Sequence, residues 1–262
     1  MVHDAWDPAQ YQRFRAEREQ PFFDLLALVE RKPAMRVLDL GCGTGALTAE
    51  AHRALGAART LGVDRSAAML AGAPVVEGLT FLQQSIEDVV VAPEHVGAFD
   101  LVLANASMQW VDDHAALLPR LWSLVAPGGQ LAVQMPANHG HPSHTLAARL
   151  ARDHELTAAL GTLRAVPVLT PERYAELLFA LRPARQRVRL EVYAHALPGR
   201  EAVLEWVKGT LLTWYQERLS PALFARFLER YREELLAALP DERPYLYTFP
   251  RVFVWAERHA AP

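Results

Sequence analysis

The 262-residue chain is 51% hydrophobic and 22% charged, and its 27 basic and 30 acidic residues leave a formal net charge of −3. That length accommodates one sizeable core or a core with a modest cap. A charge so near balance gathers no polyanion, so neither nucleic acid nor an anionic membrane is the expected partner. Cys42 is the only cysteine, which excludes an intramolecular disulfide and a metal centre built from thiolates. The opening run MVHDAWDPAQYQRF carries early acids and no apolar leader core, and no apolar run reaches bilayer length. The expectation is a cytoplasmic enzyme, a monomer or small homo-oligomer, without a metal.

In chain order, short apolar runs alternate with helical patterns. Residues 35–40, 60–63, 80–82, 100–104 and 130–135 are predicted strands, several of them apolar on both faces, as strands covered on both sides must be. Between them, 46–55 and 113–125 carry apolar residues at helical spacing, and Ser66 and Asp113 are placed as helix N-caps. This βαβαβ rhythm predicts an α/β fold with a doubly wound, mostly parallel sheet. Beyond Pro136 the rhythm changes. Helices are predicted over 145–160 and 171–181, then a strand over 187–196. Two amphipathic helices follow, one presenting Val203, Trp206, Val207, Leu211, Trp214 and Tyr215, the other Phe224, Phe227, Leu228, Tyr231, Leu235 and Leu239. A last strand, 245–255, brings the sheet to seven. The helical pair reads as an insertion over the sheet's carboxyl edge.

The run DLGCGTG places Asp39, Gly41, Gly43 and Gly45 between the first strand and the first helix. Glycines belong where a backbone turns sharply and a ligand approaches main-chain N–H groups. Asp64 follows at the end of the second strand, where a carboxylate accepts both hydroxyls of a ribose. Two ligands compete for this arrangement. A dinucleotide would prefer GxGxxG, and its pyrophosphate would be repelled by Asp39. A ligand bringing a cationic amino group, as the methionyl part of S-adenosylmethionine does, suits Asp39 better. A glycine turn without a ligand is the third reading.

Beyond these residues, LDLGCGTG, GVDRSAAML, FDLVLANASMQWV and LAVQMPAN follow one another as in trans-aconitate methyltransferases. The opening WDPAQYQRFRAEREQP and the later EWVKGT, RYREEL and FPRVFVWA resemble that family too, almost from end to end. The resemblance implies a Rossmann-like methyltransferase fold, S-adenosylmethionine as the methyl donor, and O-methylation of a carboxylate on a small acid such as trans-aconitate. It implies a single domain over 1–262: a helical segment 1–34 closing over the donor, a donor-binding core 35–136, a helical cap 198–240 and a last strand 245–258.

By that resemblance Asp39, Gly41 and Gly43 hold the methionyl group and Asp64 the ribose. Arg65 joins the donor-binding set, and Met69 lies near the adenine. Ser85 and Ile86 stand where the family has Asp-Ile, so the serine oxygen accepts from the adenine amino group. Asn105 ends the fourth strand beside the donor, and Trp6, Tyr11 and Arg18 belong to the closing segment. Gln109 and Trp110 position the transfer. Trp110, Asn138, His144, Trp206 and Arg251 form the acceptor side, although Trp206 reads equally as core and Arg251 as an edge charge. His139, His141 and His144 read as a polar loop rather than a metal site. Thr213 stands where the family has an arginine, which leaves Arg251 and Arg18 as carboxylate anchors. No residue is assigned as a catalytic base, because a carboxylate acceptor is already ionised at neutral pH. The alternatives are methylation of another small metabolite, for which His114, His139 or Tyr11 would serve as base, and a donor-binding protein without catalysis.

Overall fold

The computed structural model describes residues 15–161 and 166–261, and of residues 15–18 only the helical backbone. Trp6, Tyr11 and the side chain of Arg18 lie outside that description. The chain divides into two compact units. One is built on residues 18–137, 167–191 and 251–261, the other on 138–161 and 192–250.

The described chain opens with helix α1 (Arg15–Leu26), which enters the larger unit at residue 18, then β1 (Arg36–Leu40), α2 (Ala46–Leu55), β2 (Arg59–Asp64), α3 (Ala67–Leu70), β3 (Leu79–Gln83), α4 (Ile86–Val89), β4 (Phe99–Asn105), α5 (His114–Leu124) and β5 (Val125–Pro136). Helices α6 (Pro142–Leu150) and α7 (His154–Leu160) belong to the smaller unit, and α8 (Pro171–Ala180) to the larger. Strand β6 (Arg185–Leu197) leads to α9 (Glu201–Lys208), α10 (Thr213–Gln216), α11 (Pro221–Ala238) and β7 (Tyr245–Glu257).

The seven strands run in the order β3-β2-β1-β4-β5-β7-β6. β1 to β5 pair in parallel and β7 lies antiparallel to β5. The α/β architecture expected from the strand–helix rhythm is the one observed. The order reverses about β1, so β2 and β4 flank it, and the connections leaving β1 and β4 part in opposite directions. Such a switch point opens a crevice beyond the carboxyl ends of those two strands.

Leu38, Leu40, Val102, Leu131, Val133 and Val254 of the sheet are fully buried against Leu117, Leu121 and Leu124 of α5 and Tyr174 and Leu178 of α8. The smaller unit has its own core around Trp206, Phe227, Tyr231, Leu235, Tyr247 and Phe249. Along α11, Phe227 and Tyr231 stack with centroids 6.0 Å apart, and Tyr215 stacks on Phe227 at 4.8 Å.

Two helices predicted as continuous are divided. The 145–160 stretch breaks because the Asp153 side chain accepts from Glu155 N–H and starts α7 afresh, as an N-cap does. The 203–215 stretch breaks at Gly209, which ends α9. Ser66 and Asp113 cap α3 and α5 as expected, accepting from the backbone N–H of Met69 and Ala116. No helix among the described residues is long and apolar enough to cross a membrane.

Gly62, in the middle of β2, shows how tightly the sheet is packed against the loop after β1. A Cβ there would lie 2.7 Å from the Phe81 ring on β3 and 3.2 Å from the Cys42 sulfur. Gly62→Ala should therefore cost about 1–3 kcal/mol by overpacking, a fall of several degrees in thermal unfolding. Adding Phe81→Leu should restore part of the loss. A double variant that melts no higher than the single one would place the strain elsewhere.

Candidate active site

The loop after β1 is held from both sides. Gly41 and Cys42 donate to the Val63 carbonyl at 2.8 and 2.9 Å. Asp64, at the end of β2, accepts from Gly43 N–H at 2.8 Å through Oδ2 and from Ser66 N–H at 2.9 Å through Oδ1. Across the loop, Ser107 donates to the Leu40 carbonyl at 2.6 Å, and a Cβ on Gly41 would sit 2.3 Å from that of Ser107. Protein atoms alone thus require glycine at 41. Gly43 differs: its φ of +57° suits glycine, yet among the described residues a Cβ there would meet only the Met69 methyl at 3.4 Å. Among the described residues the loop is therefore open at Gly43, as a backbone that a ligand is to approach must be.

Asp39 lies at the carboxyl end of β1 with 4% of its surface exposed. Among the described residues its one hydrogen bond from a side chain comes from Thr48 of α2, at 2.6 Å. Burial pushes its carboxyl up to about 6, the Thr48 bond works against that rise, and the charge of Asp64 adds to it. Burial also pushes the Cys42 thiol up, reinforced by Asp39 and Asp64. The cysteine is therefore a neutral packing group rather than a nucleophile. Two acids beside an open glycine backbone form a site that suits a cation.

At the end of β4, Ala106 adopts a left-handed conformation with φ 51°, a cost tolerated where geometry is needed. The chain then enters a single 3-10 turn, Met108–Trp110. Gln109 donates from Nε2 to the Ala106 carbonyl at 2.6 Å, and both Gln109 and Trp110 are half-buried. Buried His114 supports this turn. Its Nε2 lies 2.9 Å from the Met108 carbonyl and its Nδ1 meets the Tyr174 hydroxyl. A carbonyl only accepts, so Nε2 carries the proton and Nδ1 accepts from the tyrosine. Burial holds the imidazole below its usual pKa. With both nitrogens engaged, His114 is a support for the turn and not a free base.

Gln134 of β5 is fully buried directly opposite Asn105. Its Nε2 donates to Asn105 Oδ1, and its Oε1 accepts from Arg251 of β7 at 3.1 Å. Arg251 is 4% exposed and stands opposite Pro136, at the carboxyl end of the parallel strands. The structure thus brings Asp39, Gly41, Gly43, Asp64, Met69, Asn105 and Arg251 into one unit. Ile86 is buried in the core of that unit, while Arg65 is exposed. Ser85 caps α4, accepting from Asp88 N–H at 3.1 Å and donating to the Asp88 carboxylate at 2.7 Å. One lone pair remains to its oxygen for any further donor.

Asn138, His144 and Trp206 belong to the smaller unit. Trp206 is enclosed by His195, Tyr247 and Phe249. Asn138 is buried with its amide nitrogen 3.4 Å from the Tyr247 hydroxyl. His144 is pushed down to about 3, first by burial and then by His139 and His141, and is therefore neutral. Among the described residues no group of three His, Cys, Asp or Glu is placed to hold a metal. Thr213 is buried and donates to the Thr210 carbonyl at 2.6 Å. Thr48, Ser107 and Gln134 were not singled out in the sequence. For Gln134 a signal exists: a lone amide within the otherwise apolar run LAVQM.

A family model described as a methyltransferase domain matches residues 11–178, and the protein is an enzyme of that class, using S-adenosylmethionine as its methyl donor. A trans-aconitate 2-methyltransferase of Deinococcus radiodurans is 45% identical over 260 residues, covering 97% of this chain and 98% of the relative. One from Paracidovorax citrulli is 40% identical, covering 99% of this chain and 100% of the relative. The chain belongs to the trans-aconitate 2-methyltransferase family. The fold resembles that of the YcgJ protein of Bacillus subtilis, with a TM-score of 0.61 at 14% identity, covering 93% of this chain and 100% of that one.

The raised carboxyl of Asp39 sets a pH test. Because the folded value lies above the unfolded one, the ionised group destabilises the donor-free protein fully above about pH 6. That cost fades as pH falls and is gone below about pH 4, where the group is protonated in both states. Asp39→Asn should stabilise the donor-free enzyme by roughly 3 kcal/mol near pH 8 and not below about pH 4. Affinity for S-adenosylmethionine should fall at least about tenfold. Thermal unfolding across pH, with calorimetric titration of the donor, checks both. A variant that melts below the parent near pH 8 would contradict the assignment.

Proposed function

We propose that this methyltransferase methylates a carboxylate oxygen of a small di- or tricarboxylic acid in the cytoplasm, with trans-aconitate the first candidate. The observation that carries the reading is Arg251, a guanidinium buried at the carboxyl end of the sheet and joined through Gln134 to Asn105. A buried arginine is a natural anchor for a planar carboxylate. The names of the near-full-length relatives supply the candidate acid.

The residues at the glycine loop fit the donor. When bound, it supplies an electrophilic methyl group on a sulfonium centre. Asp39 meets its cationic amino group, and the open side of Gly43 admits it against the backbone. Among the described residues Asp64 uses each oxygen once, and a carboxylate has about four acceptor positions, so two remain for ribose hydroxyls. Met69 borders the same opening. Gln109 and Trp110, fixed on the turn that His114 supports, hold the acid in line and exclude water, which is catalysis by proximity and orientation. A carboxylate needs no deprotonation at neutral pH, and the engagement of both His114 nitrogens accords with that.

Asp64→Ala removes the ribose acceptor and the link to Gly43 together. Donor affinity should therefore fall by more than the roughly 1.5–3 kcal/mol of one charged acceptor, read by calorimetric titration of the folded variant. Unchanged affinity would remove Asp64 from the donor site.

Products formed from labelled donor and a panel of small acids, phenols and amines test the acceptor. Trans-aconitate or a close polycarboxylate should be methylated. Arg251→Ala should raise the acceptor KM and lower kcat/KM by about tenfold or more, with donor affinity little changed. Methylation confined to phenols or amines would overturn the acid reading.

A further inference from the structure

The direction of the hydrogen bonds between Arg251, Gln134 and Asn105 settles which way the Asn105 amide faces. A guanidinium has five N–H donors and no acceptor. The atom of Gln134 that meets Arg251 Nη1 must therefore be its oxygen. The amide nitrogen of Gln134 is then turned to Asn105, and only the Asn105 oxygen can receive it. Two amides whose orientation would otherwise be ambiguous are thus fixed by one cation at the end of the line. Register supports the arrangement: Asn105 and Gln134 are directly opposite on β4 and β5, and the Gln134 carbonyl accepts from Ala106 N–H at 2.9 Å. The remaining group, the NH2 of Asn105, has no partner among the described residues and belongs to a half-buried side chain at the carboxyl end of β4.

We propose that Gln134 is a positioning residue that holds Asn105 with its NH2 directed outward, as a hydrogen-bond donor to a carboxylate oxygen of a bound ligand. This deepens the acid-methylation reading and rests on it for one of two sources. A carboxylate is present both on the acceptor acid and on the methionyl part of the donor. Either oxygen accepts a bond from an amide, whereas the outward oxygen of a reversed Asn105 would repel it. A glutamine at 134 thus converts the fixed polarity of Arg251 into a fixed polarity at the ligand, two residues away, without touching the ligand itself.

Three substitutions separate orientation from mere packing. Gln134→Glu keeps an oxygen toward Arg251 and so preserves the fold, but its second oxygen forces Asn105 to turn its NH2 inward and its oxygen out. Gln134→Met leaves Asn105 free to adopt either orientation. Asn105→Asp places an oxygen outward directly. The readings are donor affinity by calorimetric titration with S-adenosylmethionine, and KM and kcat for trans-aconitate, on variants whose thermal unfolding shows a folded protein. Gln134→Glu and Asn105→Asp should each weaken one constant about tenfold or more, and Gln134→Met should weaken it less. A rise in acceptor KM alone assigns the carboxylate to the acid; a loss of donor affinity assigns it to the methionyl group. If the parent enzyme methylates no acid, the acceptor reading fails while the order of the three variants in donor affinity still tests this one. A methionine variant as impaired as the glutamate, or neither constant moving twofold, would overturn the proposal.

Discussion

A carboxylate buried at the end of the central strand is the constraint from which the rest of the site follows. Asp39 sits between β2 and β4, in register with Gly62 and Leu103, and among the described residues it has a single side-chain donor, Thr48. One hydroxyl offsets only part of the cost of removing an ionised carboxyl from water. A second acid, Asp64, raises that cost further. Two carboxylates held close together beside the glycine loop cost stability, and that is the electrostatic setting in which a cation is favoured. Val63, Asp64 and Ser107 fix the loop on both sides and, among the described residues, leave its backbone uncrowded at Gly43.

Much of this was legible in the sequence because it is local. Strands β1, β2 and β4 are apolar on both faces, and a parallel strand covered on both sides has no other composition available. The limits of α2 follow from glycines at 45 and 56, both left-handed. Asp39 and Asp64 stand out because an acid at a strand end beside glycines has few structural uses. What the sequence hid depends on residues far apart in the chain. The link from Asp64 to Gly43 spans 21 positions, that from Ser107 to Leu40 spans 67, and that from Arg251 to Gln134 spans 117. Helix breaks were missed for a different reason. The apolar pattern continues through Asp153 and Gly209, and only the capping geometry interrupts it.

Two hydrogen-bonded lines of polar groups run through the larger unit. Arg251, Gln134 and Asn105 cross three strands, and Tyr174, His114 and Met108 tie α8 and α5 to the turn after β4. Such lines are costly when partly satisfied and specific when complete. Each ends at the stretch 105–110, where Ala106 holds a left-handed backbone. That stretch is therefore fixed by two separate routes, one through the sheet and one through the helices. A positioned turn without a free base is what transfer to an already ionised oxygen requires.

On the proposed function, Asp39 meets the cationic amino group of the donor with a carboxyl that burial has pushed up to about 6. Proton release on binding measures this most directly, by titrating S-adenosylmethionine calorimetrically in buffers of different ionisation enthalpy. Near pH 6, where burial has placed the Asp39 carboxyl, arrival of the cation should lower its pKa and release a substantial fraction of one proton. That release should vanish in Asp39→Asn, for whatever donor affinity remains. No release near pH 6 in the parent enzyme, or the same release in the asparagine variant, would contradict the account.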